Sequence, residues 1–130
     1  MFAAVDAEVN AALDSRFRNG PDRELILTTT LPTFTRAGYT GLTEPTAASY
    51  APLLIPAADW PAASDRAVEL DVVWPDTVDD LGDIVGWGLR SGGVVAWAGR
   101  FAKAIPLAAG TSNIVLPIRV ESPDQFTDLA

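Results

Sequence analysis

Apolar residues recur every four positions at the start of the chain and, in its strand-like runs, mostly every two positions after that. Val5, Val9, Leu13 and Phe17 form the first pattern, Phe2 and Ala12 widen it, and Asp6, Glu8, Asn10 and Asp14 lie off it. Such spacing lines up one side of a helix, so a helix is predicted over residues 2–17. Arg16 and Arg18 fall where the helix dipole favours cations, and Asn19-Gly20-Pro21 stops it.

Past Pro21 the period changes to two. "ELILTTTL" (24–31) reads as a strand that ends at Pro32. Residues 32–48, with Gly38, Gly41, Pro45 and many threonines, read as a long surface loop. "SYAPLLI" (49–55) is the next strand, and its Pro52 suits an edge or a bulge. "PAADWPAASD" is a second loop. "AVELDVVW" (67–74) places Val68, Leu70, Val72 and Trp74 on one face and Glu69 and Asp71 on the other, as in a half-buried antiparallel strand. An acidic connection, "PDTVDDLGD", leads into "IVGWGLRSGGVVAWAGRF". "NIVLPIRVE" (113–121) turns Ile114, Leu116, Ile118 and Val120 inward, and a polar tail with Phe126 follows.

The segment Gly86–Gly99 holds five glycines and two tryptophans. Its spacing fits no phosphate loop. Gly86 and Gly88 supply two positions of a dinucleotide fingerprint, but the third falls on Ser91, and no lysine follows Gly92 or Gly93 as a Walker loop requires. Two strands joined by a glycine-bearing turn fit better. A three-residue loop over Ser91–Gly93 is expected, with Leu89 opposite Val95 and Trp87 opposite Trp97. One face would then carry Val85, Trp87, Leu89, Val95, Trp97 and Phe101. The other, made of Gly86, Gly88, Ala96 and Ala98, would be small enough for another layer or subunit to approach closely.

One N-terminal helix followed by six or seven short strands predicts a mainly β chain, an antiparallel β-sandwich with a short N-terminal α-helix. The helix and its cap span residues 1–20 and the sandwich 21–130, in a single folding unit. The length of 130 residues suits one domain, and 48% hydrophobic against 20% charged residues suits a packed core. No apolar run reaches the length of a membrane span, and the first residues carry no signal-peptide pattern.

Chemistry narrows next. With no cysteine and no histidine, thiolate sites, disulfides and Ser-His or Cys-His catalysis are excluded. A net charge of −8 repels phosphate backbones and anionic lipids, so neither nucleic acid nor membrane is an expected partner. Asp76, Asp79, Asp80 and Asp83 are the densest carboxylates; a loop of this kind offers the oxygens that Ca²⁺ wants, but the cluster misses the EF-hand spacing and an acidic solvated turn is the preferred reading. Trp60, Trp74, Trp87 and Trp97 would suit a sugar-stacking platform, but three of them lie in strand patterns and read as core. No cofactor, metal or catalytic residue is nominated.

The order of "ALDSRF", "LTTTLP", "SYAP", "PDTVDDLGD", "IVGWGLRSGGVVAWAGRF" and "NIVLPIRV" resembles a family of small tailed-phage virion proteins, the tail fibre or minor tail proteins. The resemblance covers nearly the whole chain. It departs at Pro52, where the family often has Arg, and at Asp83-Ile84, where it often has Asp-Trp. It implies a β-sandwich with a structural or attachment role, without catalysis, located in the virion and partnered by identical subunits and other virion proteins. The candidate interface residues are Val5, Val9, Leu13 and Phe17 of the helix and Gly86, Gly88, Ala96 and Ala98 of the small face. A carbohydrate- or receptor-binding sandwich module is the alternative.

Overall fold

A computed structural model describes residues 5–121. Phe2 and Phe126, which the sequence placed on the helix stripe and in the polar tail, lie outside the described residues. The fold is mainly β, with antiparallel sheets and one short N-terminal helix, consistent with a β-sandwich-like fold. The elements are α1 (Asp6–Arg16), β1 (Arg23–Thr28), β2 (Thr33–Thr35), β3 (Gly38–Thr40), β4 (Leu53–Ile55), β5 (Ala67–Trp74), β6 (Gly82–Ser91), β7 (Val94–Leu107) and β8 (Ile114–Glu121).

The chain falls into two compact units. The first comprises Met1–Asp22, Pro56–Asp71 and Pro117–Ala130. It contains α1, whose Asp6 and Glu8 sit in the first turn and Arg16 in the last, each at the end where the dipole favours its charge. Val9, Leu13 and Phe17 are buried. Two helix side chains hold the 57–67 segment through its backbone: Asp14 Oδ1 accepts from Ala63 N–H at 2.7 Å, and Asn10 Oδ1 from Arg66 N–H at 3.0 Å. The Phe17 ring lies 4.9 Å from that of Trp60.

The second unit comprises Arg23–Ile55 and Val72–Leu116. It holds a four-stranded sheet of order β4-β1-β6-β7 and a small two-stranded sheet, β2-β3. β5 and β8 form another two-stranded sheet. Of the residues expected inward, Val68, Val72 and Trp74 of β5 and Ile114, Leu116, Ile118 and Val120 of β8 are buried, and Leu70 is half-buried. β1 and β6 are the inner strands of the large sheet. Both faces of an inner strand can be covered, which explains why Leu25 to Thr28 and Gly86 to Leu89 are buried without alternation.

Three expectations are corrected. The β6–β7 turn has two residues, Gly92 and Gly93, with Ser91 paired to Val94. Both turn residues have positive φ (61° and 80°), which a tight primed turn requires and glycine supplies without steric cost. Next, Leu89 faces Trp97 and Trp87 faces Gly99, so the expected Leu89–Val95 and Trp87–Trp97 pairs do not form. A register shift after Leu89 inserts an extra residue into β7 and pairs Val95 with Arg90, moving Val95 to the glycine face. Finally, residues 32–48 are not all loop: β2 and β3 pair Thr33 with Thr40, Phe34 with Tyr39 and Thr35 with Gly38.

Candidate functional site

Cross-strand partners share a face, so the register sorts the large sheet. Leu25, Leu27, Trp87, Leu89 and Trp97 lie on one face, and all five are buried. The two hairpin tryptophans thus sit diagonally on a common buried face. The other face carries Ile26, Thr28, Gly86, Gly88, Arg90 and Ala98.

Gly86 and Gly88 are covered by the chain itself. A Cβ on Gly86 would stand 2.5 Å from Thr28 Oγ1 and 2.6 Å from Pro32 Cδ. One on Gly88 would meet Ile26 Cγ1 at 3.0 Å and Val95 Cγ1 at 3.2 Å. The close approach that these glycines permit is therefore made by Thr28, Pro32, Ile26 and Val95. Of the same group, Ala96 is exposed and Ala98 half-buried. On the helix, Val9, Leu13 and Phe17 are buried within one chain, whereas Val5 caps the helix and is 65% exposed.

Trp60, Trp74, Trp87 and Trp97 are all buried, so none offers an open stacking surface. The acidic turn spends two of its carboxylates on its own loops: Asp79 Oδ2 accepts from Ser49 N–H at 3.2 Å and Asp80 Oδ1 from Gly82 N–H at 2.8 Å. Among the described residues no cluster of three or more acidic side chains is arranged to hold a metal ion.

A partly open cavity of about 170 Å³ lies beside that turn. Tyr50, Pro52 and Leu53 line one side, and Trp74, Asp76 and Val78 another. Tyr50 is its organising residue. β4 pairs with β1 only as far as Leu25, and beyond that point the Tyr50 hydroxyl accepts Leu27 N–H at 3.1 Å. The same hydroxyl donates to Glu44 Oε1 at 2.6 Å, and the ring stacks on Trp74 at 6.2 Å. Burial pushes the Tyr50 pKa well up, and the bond to the Glu44 carboxylate adds to the shift, so the phenol stays protonated. Asp76 is exposed and makes no hydrogen bond or ion pair among the described residues.

The β2–β3 arm was missed in the sequence. All three β2 residues are exposed, Phe34 by 64%, and its ring meets Tyr39 edge-on at 5.2 Å. Arg36 and Ala37 form the exposed tip. β3 lies against β7, whose Arg100 and Lys103 are also exposed. The signal was present: "TFTRAGYT" sets two triplets with a central aromatic, Thr33-Phe34-Thr35 and Gly38-Tyr39-Thr40, on either side of Arg36-Ala37.

Comparison with known protein families, curated proteins and solved structures found no match.

Proposed function

We propose that the chain is a structural subunit of a tailed-phage virion, a tail component or a head decoration, that works through oligomeric assembly and without catalysis. Its partners on this reading are identical subunits and other virion proteins, with no nucleic acid, membrane or cofactor involved. The resemblance in element order motivates the reading, and the mainly β architecture agrees with it. The observation that carries it is the β2–β3 arm. The arm is two strands of three residues that rest on β7 through β3, and it holds Phe34 out to solvent. Contact with a neighbouring subunit would cover that ring and stabilise the arm.

The cavity fits the same reading. Pockets for small-molecule substrates typically enclose roughly 300–1,000 Å³. At about 170 Å³ this one is closer to the size of a single side chain.

Receptor binding is the second reading, and the structure moves its support. The tryptophans are buried, so an attachment surface would use Phe34 and Tyr39 on the arm. Gold-labelled antibody against the chain separates the two in part: assembly predicts label on particles at a repeated position. Purified particles that never carry label contradict the structural reading.

A further inference from the structure

The second unit carries opposite charges on two distinct features. Asp76, Asp79 and Asp80 lie in the turn beside the Tyr50–Trp74 cavity, Asp83 follows at the start of β6, and Asp76 lines the cavity itself. Arg36 stands at the tip of the β2–β3 arm, and among the described residues it makes no ion pair or hydrogen bond. We infer that the arm of one copy docks on a second copy, with Arg36 entering the cavity between Tyr50, Trp74 and Asp76.

Size is the first argument. An apolar cavity of roughly 150 Å³ holds one benzene-sized group, so about 170 Å³ accepts one long side chain. Shape is the second. Arg100 and Lys103 are exposed too, but they lie along β7, whereas Arg36 is at the end of a two-stranded arm. Chemistry is the third. Arginine combines an apolar stem, a flat face that packs on aromatic rings and a fork that matches a carboxylate. The wall supplies Tyr50 and Pro52 for the stem and Asp76 for the fork. A fully exposed pair would be worth little, and the walls of the partly open cavity reduce the solvent screening of this one. Phe34 and Val78, 64% and 75% exposed, flank the two features and are available to be covered alongside.

Arm and cavity are different surfaces, so the contact is head-to-tail. Repeated contacts of this kind close into a ring or run on as a filament. This contact rests on the assembly reading and specifies its interface.

Sedimentation of the full chain at low salt tests it, using wild type, Arg36→Glu, Asp76→Lys and the double charge swap. Wild type is expected to associate. Each single reversal should raise the concentration needed by at least about tenfold, and the swap should recover most of the loss. Arg36 and Asp76 are exposed, so unchanged melting temperatures will show that folding is intact. Because the chain has no cysteine, Ala37→Cys combined with Val78→Cys should also yield disulfide-linked oligomers on oxidation. An Arg36→Glu variant that associates like wild type overturns this contact and leaves the assembly reading standing. Wild type that stays monomeric overturns the contact too, and its absence from particles would overturn the assembly reading with it.

Discussion

The Trp87 indole lies over Gly99 of the adjacent strand: a Cβ on residue 99 would stand 2.5 Å from Cζ2 and 2.8 Å from Cε2. The two residues are register partners, and the glycine leaves room for the ring to cross β7. Gly99→Ala forces a buried, tightly held ring to move and should cost about 1–3 kcal/mol. Trp97→Ala, on the same face, removes a ring that is 8% exposed and should cost about 3–5 kcal/mol. Chemical denaturation measures both. Wild-type stability in either variant would show that this face is not the core.

Much of this region was legible, and its errors have one cause. Period-two alternation identifies most inward residues along β5 and β8, where buried and less buried positions largely alternate. In β6–β7 it fails after Leu89, where the extra residue in β7 switches the face of Val95. A bulge leaves no mark in hydrophobicity when the residues around it are Val, Val and Ala. The two-residue turn was legible in principle, since Gly92-Gly93 is a strong primed-turn pair. Tyr50 was not, because its part depends on Leu27 and Glu44, brought together only by folding.

Tyr50→Phe tests the ladder substitute. It leaves Leu27 N–H without its acceptor and Glu44 without its donor. The loss should be about 1–3 kcal/mol at neutral pH, since a buried backbone donor is orphaned. A pH signature comes with it. The folded phenol titrates above its ordinary value of 10.0, so its contribution is whole below that pH and is lost as pH rises toward the raised value. The stability gap between wild type and Tyr50→Phe should therefore be constant from pH 7 to 9 and narrow above about pH 10. A gap that stays constant at high pH would contradict the placement of this hydroxyl.

The N-terminal helix is expected to be integral to the first unit. Phe17 is fully buried against Trp60, and Asp14 and Asn10 hold the 57–67 backbone. Phe17→Ala should cost about 3–5 kcal/mol. Removing residues 1–18 should leave a chain that binds hydrophobic dyes or precipitates. Val5→Ser, at the exposed N-cap where no side chain now caps the helix, should not destabilise and should add about 0.5–2 kcal/mol. Melting curves of the three proteins decide the point, and a truncated chain as stable as wild type would refute it.

The central claim is that this chain acts by assembling into a particle. Quantitative mass spectrometry of purified virions measures that most directly, by counting copies of the chain per particle. The account predicts several copies in a fixed ratio to the other virion proteins, and fewer when Phe34→Ser and Arg36→Glu disable the arm. Particles of full infectivity that contain no copy of the chain would contradict it.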